Sequence, residues 1–80
     1  MNKIDIKNNE CYRYYHINDN IIYEAIVKFT YRNNELFFVV IKNIQNCQGI
    51  SNQTFIISNE AIDLFKYFYP LTSIEKIKYL

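Results

Sequence analysis

Glycine is almost absent from this sequence, occurring only at Gly49. Loops that cradle nucleotide phosphates need several glycines, because backbone amides must approach the phosphate closely. A Walker-type loop and a dinucleotide fingerprint are therefore excluded. Cysteine is limited to Cys11 and Cys47 and histidine to His16, without paired CxxC or HxxxH spacing. Tetrahedral zinc takes four such ligands, so no structural metal site is expected, and no cofactor. In a reducing compartment the two cysteines are expected to remain thiols.

Charge of one sign is lacking too. Nine basic and eight acidic residues give a net charge of +1, the signs are interspersed, and Arg13 and Arg32 are the only arginines. No long-range field steers such a chain toward a polyanion, which disfavours sequence-blind nucleic-acid binding. No apolar run approaches the roughly 20 residues that span a bilayer, and Met1 to Asp5 lacks the apolar core of a signal peptide. The expected location is cytoplasmic, with no membrane partner.

What is present is apolar and aromatic. Half of the 80 residues are hydrophobic and 18% are Phe or Tyr, a composition that packs a core and does not suit disorder. A chain of this length buries only about 60–65% of the surface it exposes when unfolded, and two independent domains do not fit in it. Residues 1–80 are read as a single domain. Ile, Asn, Lys and Tyr dominate, all residues with AT-rich codons. That bias points to an AT-rich bacterium, its phage or mobile elements, or a virus; it reports ancestry and not mechanism.

The clearest local signal is Ile22 to Asn43, two β-rich runs separated by Asn33-Asn34. Asparagine tolerates the positive φ that a two-residue hairpin turn requires. With those two residues as the loop, Arg32 faces Glu35, Tyr31 faces Leu36, Phe29 faces Phe38, Val27 faces Val40 and Ala25 faces Lys42. Val27, Phe29, Tyr31, Leu36, Phe38 and Val40 then share one apolar face. The other face carries Glu24, Ile26, Lys28, Thr30, Phe37, Val39 and Ile41, a mixture that calls for partial cover by another segment or a partner.

Cys11 to Ile17 reads as a further strand entering the hairpin through Asn18-Asp19-Asn20. Ile4 and Ile6 alternate with Asp5 and Lys7, as a short edge strand or a frayed terminus would. Asn43 to Asn59 has no charged residue and is the long connection, within which Gln53 to Ile57 has strand character. Ser58 or Asn59 suits a helix N-cap, Glu60 and Asp63 suit its first turns, and Pro70 would stop it. Ala61, Ile62, Phe65, Phe68 and Tyr69 make one helical stripe. Thr72 and Glu75 have capping-box spacing, so Ser73 to Tyr79 is a candidate short second helix with Ile74 and Ile77 as contacts. The fold class is α+β: a small antiparallel meander of three to four strands packed against a C-terminal amphipathic helix.

No catalytic constellation emerges. Cys11 and His16 would face opposite sides of a strand, and Glu60 and Asp63 are explained by the helix dipole. The run Tyr12-Arg13-Tyr14-Tyr15-His16 offers side chains that either pack or anchor an interface. The expected function is a non-enzymatic protein-binding module, an inhibitor or accessory factor of phage, viral or mobile-element origin that acts sterically on a larger host protein, as anti-defence inhibitors of CRISPR nucleases do. Candidate contacts are Tyr12, Tyr14, Tyr15, Phe37 and Val39, with the amides Gln45, Asn46, Gln48 and Asn52. A homodimer through the same surface or a sheet edge is a variant of this reading. The alternative is a single-stranded nucleic-acid binder that stacks bases on Tyr and Arg13 and meets phosphates with Lys28, Arg32 and Lys42.

Overall fold

The computed structural model describes residues 5–57 and 62–80. Strands β1 (Cys11–Asn18), β2 (Ile21–Arg32), β3 (Glu35–Gln45) and β4 (Thr54–Ile57) follow one another as an antiparallel meander. A 3-10 turn at Gln48–Ile50 lies between β3 and β4, and a second at Ile62–Tyr67 leads into β5 (Phe68–Pro70) and the helix α1 (Ser73–Tyr79). The sheet order is β4-β3-β2-β1-β5, five strands where three to four were expected.

Scarcity of glycine has a direct structural counterpart. Asn9, Asp19, Asn20, Asn33, Asn34, Asn46 and Asn52 all hold positive φ, between 50° and 66°. Asn and Asp are the L-residues that tolerate this region best, and here they take the work glycine does in most chains. Both hairpin turns have positive φ at their two central residues, the conformation whose twist matches the flanking strands.

The β2–β3 register agrees with the expected one from Arg32↔Glu35 to Val27↔Val40. Beyond it the register shifts, so that Lys42 faces Ile26, and Ala25 faces Asn43 in place of Lys42. Ile41 and Ile44 are the extra residues of these bulges, which increase local twist and end the strict alternation of faces.

One side of the sheet is the core. Ala25, Val27 and Phe29 from β2, Leu36 and Val40 from β3, and Tyr12 from β1 are buried there with Ile57, Phe65 and Phe68. Phe68 sits at the centre of an aromatic cluster, its ring 4.9 Å from Phe29, 5.4 Å from Tyr14 and 5.7 Å from Phe38. The N-terminal segment also covers this side: Ile6 is buried, and the Tyr12 hydroxyl accepts the Lys7 amide at 3.0 Å and donates to the Asp5 carbonyl at 3.3 Å. Ile6 lies outside any strand, and Ile4 lies outside the described residues.

The amphipathic helix expected before Pro70 is not formed in the described part of that segment. Ser58 to Ala61 lie outside the described residues; 62–67 is a 3-10 turn and Phe68–Pro70 a strand. Two physical reasons account for the difference. Phe65 and Phe68, three apart, align in a 3-10 turn as well as in an α-helix. A residue before proline is pushed out of the α region, and the aromatic run Tyr67-Phe68-Tyr69 then favours strand. Strand alternation buries Phe68 and leaves Tyr69 exposed.

The second helix forms as its capping box indicates. Thr72 Oγ1 accepts the Glu75 amide and Glu75 Oε1 accepts the Thr72 amide, both at 3.1 Å. Its expected contacts do not form: Ile74 and Ile77 are 77% and 85% exposed. Glu75 and Tyr79, one helical turn apart, face the sheet instead.

Candidate interaction surface

The second side of the sheet is polar in the middle and open toward the β2–β3 turn. On it Cys11, Arg13 and Tyr15 of β1 lie beside Glu24, Ile26 and Lys28 of β2, followed by Phe37 and Val39 of β3 and Thr54 and Ile56 of β4. Helix α1 lies across the middle, where Ile26 is fully buried and Glu24 nearly so.

Arg13 ties this arrangement together. Its Nη1 donates to Glu24 Oε2 at 3.2 Å, and its guanidinium lies 5.5 Å from the ring centres of both Tyr15 and Tyr69. Its Nε is 3.5 Å from Glu75 Oε2, close enough for attraction but too poorly aligned for a hydrogen bond. Gln45 Nε2 donates to the other Glu24 oxygen at 2.9 Å. A carboxylate this buried needs such partners, and here it has a cation and an amide. The Thr72 amide and then its hydroxyl, together with Arg13 and Lys78, hold the Glu75 carboxyl below the usual carboxylate range. At the far end of α1, Lys42 Nζ lies over the Tyr79 ring at 5.6 Å.

Beyond the helix, Phe37 and Val39 are half-buried and Ile56 is exposed on adjacent strands, with Thr30, Lys28 and Thr54 beside them. A shallow depression of about 60 Å³ is lined by Lys28, Thr30, Arg32, Phe37, Val39 and Thr54. Arg32 stands over the Phe37 ring at 6.0 Å.

The sequence candidates separate by side. Phe37 and Val39 lie together on the second side; Tyr15 shares that side but stands at its other end, opposite Glu24. Tyr12 is buried on the core side, with its hydroxyl engaged by the N-terminal segment. Tyr14 is half-buried on the core side, and its hydroxyl pairs with His16 Nδ1 at 3.0 Å. His16 stacks on Tyr67 at 4.0 Å, and burial pushes the Tyr14 phenol up. Among the amides, Gln45 supports Glu24, and Asn46 donates to the Ile22 carbonyl at 2.7 Å. Gln48 is exposed at the start of the 3-10 segment and Asn52 is exposed in the turn after it.

Cys11 and His16 face opposite sides of β1, as strand alternation requires. Both cysteines are free, and burial pushes both thiols up. Among the described residues no group of three His, Cys, Asp or Glu side chains could hold a metal ion, and no helix is long and apolar enough to cross a membrane. The residues that sequence reasoning missed are Ile56, Glu24 and Glu75. The first was legible once Thr54 to Ile57 was registered against β3; the Arg13–Glu24 pair follows from the β1–β2 register, and the Arg13–Glu75 pair depends on where α1 docks, for which the sequence has no local signal.

No family model, curated protein or solved structure matches this chain.

Proposed function

We propose that the chain is a protein-binding module that acts by occupying a surface on a larger protein, as an inhibitor or accessory factor. The observation that supports the reading is the incompletely covered second side of the sheet. Phe37, Val39 and Ile56 sit on neighbouring strands with solvent access, while the helix that packs on that side covers only Ile26, Glu24 and their surroundings. An apolar centre with a rim of Lys28, Arg32 and Thr30 is how protein interfaces are commonly built.

A second reading, single-stranded nucleic-acid binding, draws on Lys28, Arg32 and Lys42 sharing that side with Lys76 and Lys78 of α1. Against it, Tyr15, Tyr69, Phe37 and Tyr79 each already have a cation over the ring, which takes up faces a base would need.

The test is a paired capture from host lysate with the wild-type chain and the Phe37→Asp variant, nuclease-treated and washed at high salt. The reading expects one stoichiometric protein with the wild type and its loss with a variant that keeps its fold. Retention of the same protein by the folded variant would remove Phe37 from the surface. Capture that disappears with nuclease or salt in the wild type would favour nucleic acid, because phosphate contacts weaken steeply with salt.

A further inference from the structure

β4 ends the sheet on one side, and among the described residues no strand pairs with its outer edge. The alternation of an antiparallel ladder decides which backbone groups point outward there. The Val40 amide donates to the Gln53 carbonyl at 3.3 Å. The register continues from this pair to Phe38↔Phe55 and Leu36↔Ile57. Phe55 and Ile57 therefore direct their amides and carbonyls at β3, and Thr54 and Ile56 direct theirs at solvent.

The opposite edge is shielded and, among the described residues, this one is not. β5 has three residues and ends in Pro70, which has no amide hydrogen to offer. β4 contains neither proline nor charge, and the whole stretch from Asn43 to Asn59 is uncharged. Ile56 is 57% exposed. Phe55 is held in place by stacking on Phe38 at 5.2 Å, and Ile57 is buried, so the edge is fixed before anything binds it.

We propose that β4 is the contact of a symmetric dimer, pairing antiparallel with β4 of a second copy about a two-fold axis at Phe55. The edge is self-complementary in that register. Thr54 of one copy stands opposite Ile56 of the other, so the outward amides and carbonyls of both chains close four interchain hydrogen bonds. Phe55 faces its symmetry mate as a cross-strand aromatic pair on the core side. An uncharged edge meets itself without like charges in opposition, and it has no charge with which to select an acidic or basic partner strand. Pairing joins two five-stranded sheets edge to edge.

So short a contact falls below the ~1,200 Å² of a stable interface, and the dimer is expected in the micromolar to millimolar range. It shares Ile56 with the protein-binding reading but uses the backbone edge of that residue, where the other surface uses side chains on the sheet face around Phe37, so Phe37→Asp tests that reading and leaves the β4 edge intact.

The experiment is sedimentation velocity of the full chain from about 10 µM to 1 mM, alongside Ile56→Pro. The amide removed by that substitution points to solvent, so the fold should persist, as an amide NMR spectrum checks. The expected result is conversion of wild type from monomer to dimer across the range while the folded variant stays monomeric. If the proline variant does not fold, Ile56→Lys replaces it, since the side chain it changes is exposed; dimerisation should then weaken at least about twofold through like charges brought to diagonal positions across the contact. Monomer at the highest concentration, or a dimer that the folded variant leaves unchanged, overturns the proposal. So does a dimer lacking isotope-filtered NOEs between Phe55 of labelled and unlabelled chains.

Discussion

Arg13 Nε lies 3.5 Å from Glu75 Oε2, and through this pair a strand in the middle of the sequence's first quarter holds a helix at its end. The same carboxylate closes the α1 capping box through its other oxygen. One side chain thus both starts the helix and fastens it to the sheet. Because α1 has no buried residue of its own, this pair and the Lys42–Tyr79 contact are its polar ties to the sheet among the described residues.

Order in α1 should depend on pH in the acid range. The folded value of Glu75 is lowered, first by its bond with the Thr72 backbone. A lowered carboxylate contributes its stability fully above the ordinary carboxylate range and loses it as the pH falls through the lowered value. The protection factors of the Lys76 and Leu80 amides, which bond to the Thr72 and Lys76 carbonyls, should fall there before those of the sheet. Thr72→Ala should produce a related loss at neutral pH, about 1 kcal/mol of helix or roughly fivefold faster exchange. Protection in α1 that is flat with pH, or unchanged in that variant, would remove the capping box as its anchor.

Phe68 and Tyr69 are neighbours with opposite surroundings. Phe68→Ala should cost about 3–5 kcal/mol, since it empties the centre of the aromatic cluster. Tyr69→Ala should cost under about 1 kcal/mol, because it loses an exposed ring and its contact with Arg13. Urea midpoints of the two variants measure the contrast. Equal losses would mean that this segment does not alternate as a strand.

Why the segment before Pro70 misleads, while the hairpin does not, comes down to how many constraints each sequence carries. Between Ile22 and Asn43 the turn residues, the β-branched runs and the apolar alternation all require the same register, and a slip would expose Phe29 and Val27. From Ile62 to Tyr69 the spacing of Phe65, Phe68 and Tyr69 is met by an α-helix and by a 3-10 turn followed by a strand. The choice is made by a distant partner, the free edge of β1 at Tyr12 to Tyr14. Phe37 and Val39 were legible as half-covered because they alternate with core residues. The bulges that displace Lys42 from Ala25 leave no mark in the alternation, since Ile41 and Ile44 are apolar like their neighbours.

The β2–β3 turn should be sensitive to backbone chemistry and indifferent to side-chain polarity. Asn34 holds φ of 66°, where a β-branched residue is strained. Asn34→Val should destabilise by about 1–2 kcal/mol. Asn34→Gly should be neutral or stabilising by up to about 1 kcal/mol, as glycine enters this region freely. Equal destabilisation by both would show that the Asn34 side chain, and not its φ, is what matters.

The two thiols should report on folding. Cys47 is 2% exposed, Cys11 is half-buried, and burial pushes both above the ordinary thiol value. At pH about 7.5 the thiolate fraction, and with it the rate of attack on a disulfide reagent, should be lower for both than for free cysteine. The Cys11 rate should rise with pH beyond the ordinary thiol range, since its proton is lost later. Cys47 cannot meet reagent without local opening, so its labelling should follow the stability of the core. Phe68→Ala should accelerate it far more than it accelerates Cys11. Rapid labelling of Cys47 in the intact protein would mean that the connection after β3 opens independently of the sheet.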